Sequence, residues 1–204
     1  MMPAAVIVPG DGPDQKNFER VGEDLVKNVY GGNGIVYKCV FANQSRDFHY
    51  IDMLPVSAAP NGGSGSFLEF LFVATCVLTV SHVGELDGPI MSYLTPIDKA
   101  SRETENADWR YRQPWHTNGT GRQLCPYGDL FWKFIGRAPR TTKIILLGCE
   151  SGNRYAQCVA NSATIPVWGF DHSCAAADIA TMRPIVSGIE GGKSQNGISV
   201  SWPS

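Results

Sequence analysis

Two residues of this chain could do covalent chemistry from matched positions. His82 closes the apolar segment Cys76-Val77-Leu78-Thr79-Val80-Ser81, and Cys149 closes Lys143-Ile144-Ile145-Leu146-Leu147-Gly148. A cysteine becomes a nucleophile when it has thiolate character and a partner that can take and return a proton. Cys149 is followed, after a short turn, by a helical pattern, and the positive end of a helix favours a thiolate. Its neighbours Gly148, Ser151 and Gly152 would let a substrate backbone come close. Each residue alone reads more readily as a buried thiol or a hydrogen-bonded loop histidine. Their shared position is what singles them out.

That position depends on the elements around it. Short apolar runs without polar alternation suit strands covered on both faces. Asp14 caps a helical pattern with Phe18, Val21, Leu25 and Val29 three and four residues apart, and Gly31-Gly32-Asn33-Gly34 ends it. Ala4–Val8 reads as a first strand or a tail, and Ile35–Phe41 as a strand. Asn61 to Ser66 is a glycine-rich loop. The run Phe67–Val80 is too long for one strand, and divides into a helix from Ser66 to Ala74 and a strand from Cys76 to Ser81. Helices are expected at Gly128–Ile135 and at Arg154–Asn161, the latter with Tyr155, Cys158 and Val159 inward. Ile165–Trp168 reads as a strand, and Ala175–Ile189 as a last helix interrupted at Pro184.

Strands alternating with helices predict an α/β fold: a mostly parallel central sheet with helices on both faces, residues 1–204 forming one domain. Functional groups in such sheets sit just past the carboxyl ends of strands. His82 and Cys149 both stand there. Between them, residues 86–140 are irregular, with Asp87-Gly88-Pro89, the charged stretch Asp98–Arg112, and Trp109, Trp115 and Trp132. Ordinary connections are a few residues long, so this segment is expected to be an insertion or flap beside the cleft.

Composition narrows the function classes. The chain is 43% hydrophobic and 18% charged, as globular proteins are, and its net charge of −2 offers no basic field for nucleic acid or anionic membrane. Phe67–Val80, the longest apolar run, carries Glu69 and is shorter than the roughly 18 residues of a membrane helix. The patch Ala4–Val8 lacks the basic start and length of a secretory leader. No Cys-x-x-Cys occurs among the six cysteines, and His172-Ser173-Cys174 is the one close His/Cys pair, so neither a zinc site nor another cofactor is expected. Free cysteines and the missing leader point to a cytoplasmic protein, or one delivered into another cell. Nothing in the sequence fixes an oligomeric state.

The segments Val77-Leu78-Thr79-Val80-Ser81-His82-Val83-Gly84 and Ile144-Ile145-Leu146-Leu147-Gly148-Cys149-Glu150-Ser151-Gly152 resemble the His and Cys blocks of caspase-like (clan CD) cysteine peptidases. The second block looks most like the Cys-Glu-Thr-Gly segment of bacterial CHAT-type domains, and Tyr155-Ala156-Gln157 through Ile165–Gly169 is similar to the helix and strand that follow. The resemblance spans Phe67 to Ser173 with a poorly matched middle. It implies a caspase-like fold and acyl transfer on a protein or peptide substrate. Cys149 would attack a peptide carbonyl, and His82 would protonate the leaving amine. Backbone N–H groups at Gly84 and Cys149 would hold the oxyanion. The family places Gly directly after His, whereas Val83 intervenes here. Asp171, with Trp168 as a wall, would take an Arg or Lys side chain of the substrate. Read from the residues alone, Asp171 caps the following helix and Asp87 starts an Asp-Gly turn.

Other chemistries fit less well. Cys149 and Arg154 enclose four residues rather than the five of a phosphatase loop, and Gly62-Gly63-Ser64-Gly65-Ser66 lacks the last glycine of a hydrolase elbow. The Gly-rich segments match neither a P-loop nor a dinucleotide fingerprint. Two alternatives keep the same scaffold: a protein-binding module without catalysis, and an acyl transferase or deamidase using the same His-Cys dyad.

Overall fold

The computed structural model describes residues 2–45, 48–56, 65–84, 88–92, 115–117, 122–124 and 130–204. Strand β1 (Ala4–Pro9) leads into helix α1 (Gln15–Asn28), followed by β2 (Gly34–Ser45) and β3 (Phe48–Pro55). A short α2 (Phe67–Leu71) precedes β4 (Cys76–Val80). The intervening segment contributes β5 (Val83–Gly84), β6 (Gly88–Ser92), β7 (Trp115–Thr117), β8 (Arg122–Leu124) and α3 (Leu130–Gly136). Then come β9 (Lys143–Leu147), α4 (Arg154–Ala163), β10 (Val167–Phe170), α5 (Ile179–Glu190) and β11 (Ile198–Ser201).

The central sheet has seven strands in the order β11-β10-β9-β4-β1-β2-β3. β2, β1, β4, β9 and β10 run parallel, and the edge strands β3 and β11 pair antiparallel to their neighbours. β1 and β4 are buried along their whole length, which is why their sequences read as unbroken apolar runs. Alternate side chains feed two cores. Ala5, Val77, Ile144 and Leu146 pack with Phe70 of α2, Trp132 of α3 and Val159 of α4. Val6, Leu78, Val80, Ile145 and Leu147 pack with Phe18 and Leu25 of α1 and Met182 and Val186 of α5. Asp24 and Arg183 form a two-pronged ion pair that ties α1 to α5. The fold is therefore the expected α/β sandwich with helices on both faces.

The last helix and the strand before it depart from expectation. α5 starts at Ile179, where the Asp178 carboxylate accepts from the N–H groups of Ala180 and Thr181. It runs through Pro184 without a break. A proline costs the helix one hydrogen bond, and burial of Met182, Val186 and Ile189 against the sheet holds the helix together across it. β10 begins at Val167 rather than Ile165, because Thr164 ends α4 in the left-handed conformation (φ 59°) and Pro166 cannot donate to a neighbouring strand.

The described strands of the long intervening segment form a second sheet, β5-β6-β8-β7. Its anchors lie past the carboxyl ends of the central strands. Gly10 N–H, after β1, donates to Met91 O (3.0 Å), and Ile90 N–H donates to His82 O (2.8 Å). The Tyr155 hydroxyl, in the first turn of α4, donates to Leu124 O (2.7 Å). The glycine-rich loop 61–64, Asp87, the charged stretch 98–112, Trp109 and Cys125 lie outside the described residues.

Candidate active site

β4 and β9 are hydrogen-bonded neighbours, with Val80 opposite Leu147. His82 and Cys149 each stand two residues beyond that pair. Ser81 N–H continues the ladder to Leu147 O (3.1 Å), so the chains leave the sheet side by side. Both side chains turn to the α1/α5 face. The His82 ring meets Phe18 of α1 edge-on, at 5.1 Å between centroids. The Cys149 sulfur touches Cys174, which packs against the same core.

His82 is held by Asp14. Its Nε2 lies 2.9 Å from Asp14 Oδ2, and both side chains are more than a third exposed. The hydrogen bond from His82, then that from Asn17, holds the Asp14 carboxyl below its ordinary value. An ionised carboxylate only accepts, so Nε2 carries the proton and Nδ1 is left as the basic nitrogen. This corrects the expected cap: Asp14 occupies the N-cap position of α1, but its side chain makes no capping bond. The reason is competition, because His82 stands within reach of the same oxygens.

Cys149 is half-buried. Its Sγ lies 3.2 Å from Cys174 O and 3.3 Å from Cys174 N, donating to the first and accepting from the second. Among the described residues, His82 and Cys149 share no hydrogen bond with each other, and none of these residues accepts from the Cys149 amide. Burial, followed by the charge of Cys149, pushes the Cys174 thiol up to about 12. The five described cysteines are free.

The turn after Cys149 is shaped by the chain itself. A Cβ on Gly152 would stand 2.4 Å from Gly169 O, and one on Gly148 would stand 2.3 Å from the Val83 side chain. The space expected for a substrate backbone is thus filled by β10 and by the segment after β4. Ser151, fully buried, donates its hydroxyl to Leu146 O (2.7 Å) and accepts from Phe170 N–H (3.2 Å). Gly152 N–H reaches Phe170 O at 2.7 Å, and Glu150 N–H reaches His172 O at 3.0 Å. The cost of this docking is visible at Glu150, which adopts φ 56°, a conformation few non-glycine residues take.

Asp171 and His172 follow β10 on the other side of Cys149. The two side chains are half-exposed, with His172 Nδ1 2.8 Å from Asp171 Oδ1. Helix capping falls to Asp178, so Asp171 is not the cap that residue type alone suggests. Trp168 lies elsewhere: its ring sits 5.3 Å from the ammonium of Lys143, the first residue of β9. That contact is at the amino-terminal edge of the sheet, away from Cys149. Gly84 lies in β5, paired with Gly88 of β6. Among the described residues, no group of three His, Cys, Asp or Glu could hold a metal ion, and no helix is long and apolar enough to cross a membrane.

Asp14, Cys174 and the contact of His172 with the turn escaped the sequence reading as site features. Asp14 follows a recognisable strand at the carboxyl edge, and that position was its signal. Cys174 and His172 were adjacent to each other but not to Cys149 in sequence, and only β10 brings them beside it.

No family model and no curated protein matches the chain. Among solved structures it is similar to a secreted C11 cysteine protease from Bacteroides thetaiotaomicron, "iotapain", at 13% identity with a TM-score of 0.48, covering 96% of this chain and 59% of that one. It is also similar to an inactive zymogen C11 protease from Parabacteroides distasonis, at 12% identity with a TM-score of 0.37, covering 89% and 52%. The chain thus spans little more than half of either protein. The architecture and the site described above rest on this chain's own geometry.

Proposed function

We propose that the protein is a caspase-like cysteine endopeptidase, related to CHAT-type domains, with Cys149 as nucleophile and His82 as general acid and base. The observation that carries this reading is the juxtaposition of His82 and Cys149. Both lie two residues past one hydrogen-bonded strand pair, on one face of the sheet, with an aspartate on Nε2 of the histidine.

Each step balances. The Cys149 thiol gives its proton to His82 Nδ1 as Sγ bonds to the scissile carbonyl carbon. The oxyanion is received by the Cys149 N–H and by the amide at Gly84. Collapse breaks the C–N bond, and His82 passes its proton to the leaving amine. Water then attacks the thioester while His82 takes a proton from it, and return of that proton to sulfur releases the acid. Asp14 is a positioning residue that keeps Nδ1 turned toward this chemistry. Asp171, at the end of β10, would attract an Arg or Lys side chain of the substrate. The small sheet would act as a flap over the peptide.

The experiment is cleavage of an unbiased peptide library by the wild type, Cys149→Ala and His82→Ala, read by mass spectrometry. Products from the wild type alone, enriched after Arg or Lys, are expected. Equal cleavage by Cys149→Ala would end the assignment. Adding an amine acceptor separates hydrolysis from acyl transfer, since a transferase would yield the amide adduct.

A further inference from the structure

The thiol of Cys174 has no role in the proposed chemistry, yet its backbone cradles the Cys149 sulfur. Sγ of Cys149 lies 3.3 Å from the Cys174 amide nitrogen and 3.2 Å from its carbonyl oxygen. A disulfide needs Cα atoms about 4.4–6.8 Å apart, and a sulfur seated against the Cys174 backbone leaves only side-chain rotation between the partners. Cys174 follows the short segment His172-Ser173 beyond β10, and His172 O is tied to Glu150 N–H. The two cysteines are therefore held together by the same contacts that shape the turn.

We propose that Cys149 and Cys174 form a reversible disulfide that switches the site off in the presence of a hydroperoxide. This rests on Cys149 being the nucleophile, as argued above. The thiolate of Cys149 attacks one peroxide oxygen, the O–O bond breaks, and sulfur is oxidised to the sulfenic acid as hydroxide or alkoxide leaves. The Cys174 sulfur then attacks Sγ, the S–O bond breaks, and the departing hydroxide takes the Cys174 proton as water. Two cysteines and one peroxide give one disulfide. A dithiol reverses the reaction by exchange.

Reactivity divides between the two sulfurs. The raised thiol of Cys174, at about 12, stays protonated at neutral pH, and peroxide reacts with thiolates. Cys158, also half-buried, lies within α4 and is the internal control.

The test treats the purified protein with hydrogen peroxide and maps the cysteines by mass spectrometry, beside Cys174→Ser, Cys174→Ala and Cys158→Ser. The wild type and Cys158→Ser should lose two hydrogens, yield a peptide linking Cys149 to Cys174, and lose iodoacetamide labelling of Cys149 until dithiothreitol restores it. In both Cys174 variants Cys149 should pass irreversibly to the sulfinic acid. Wild-type Cys149 over-oxidised at the rate of the Cys174 variants, or linked to Cys158, would overturn the switch. This readout needs no substrate. A mapped disulfide in a protein whose Cys149→Ala variant still cleaves peptides would refute the gating of activity through the failure of the peptidase reading.

Discussion

The two edges of the central sheet use similar residue types for opposite ends. At the amino-terminal edge, Tyr30 donates to Glu190 (2.8 Å), Lys143 bonds the other Glu190 oxygen (3.0 Å), and Tyr30 contacts the sulfur of Cys76 (3.6 Å). These groups are buried or nearly so, and burial drives the Tyr30 hydroxyl and Cys76 thiol far above their ordinary ranges. The Tyr30 hydroxyl and the Cys76 thiol therefore keep their protons at neutral pH. At the carboxyl edge, His82–Asp14 and Asp171–His172 are open to solvent, and Cys149 is half-buried. A closed network ties elements together, and an open set of paired groups can exchange protons. The same sheet thus carries its ionic lock at one end and its open paired groups at the other.

The largest expected effect is on the open edge. His82→Ala should lower peptide cleavage by about 10²–10⁴, the usual worth of a general acid-base group, and leave the urea midpoint near the wild-type value. A variant that unfolds instead would place His82 in the structural class. Asp14→Asn should lose less activity than His82→Ala, because the ring keeps a hydrogen-bond partner but loses the charged one.

On the closed edge the effects should reverse. Glu190→Ala leaves Lys143 and Tyr30 without their partner, and breaking such a pair costs about 3 kcal/mol. Chemical denaturation should show that loss, while the folded fraction keeps its alkylation rate at Cys149. A fall in that rate would mean the edges are coupled.

Gly152→Ala probes the joint between Cys149 and β10. Its Cβ would press on Gly169 O and the Ser199 hydroxyl, and overpacking of this kind costs about 1–3 kcal/mol. Both stability and reactivity should fall together.

Acid should act through lowered carboxyls. Arg183 holds Asp24 below its ordinary value, and the hydrogen bonds at Asp178 do the same. A folded-state value below the unfolded one gives stability that is complete above the unfolded pKa and lost as pH falls through the folded one. Thermal melts from pH 5 downward should therefore show a fall beginning near the ordinary carboxyl value of 3.8, shallower in Asp24→Asn. The smallest change lies just before β10, outside the closed network. Thr164→Gly relieves a left-handed threonine at the end of α4 and should raise stability by about 1 kcal/mol.

The fold was legible where burial was complete. β4 and β9 read as strands because strands covered on both faces leave unbroken apolar runs, whereas Ala4–Val8 of β1 reads as a strand or a tail. β3 and β11 did not, since edge strands carry mixed sequences such as Phe48-His49-Tyr50-Ile51-Asp52 and Ile198-Ser199-Val200-Ser201. His82 and Cys149 were legible as strand-end residues, and their common register follows from pairing between β4 and β9 that sequence does not state. Asp14 was misread because the same carboxylate serves as a helix cap or as a histidine partner. Only the position of His82 decides between them. The contact of Trp168 with Lys143 was not legible, because strand membership gives a residue's face but not which edge a long side chain leans toward.

The central claim is that Cys149 is the reactive sulfur of the open edge and that His82 serves it. The most direct test is labelling with a peptidyl chloromethyl ketone bearing a terminal Arg or Lys, mapped by mass spectrometry in the wild type, Cys149→Ala and His82→Ala. The account expects one adduct, on Cys149, formed fast in the wild type, slowly in His82→Ala and not at all in Cys149→Ala. Labelling spread over other cysteines, or equally fast without His82, would contradict it.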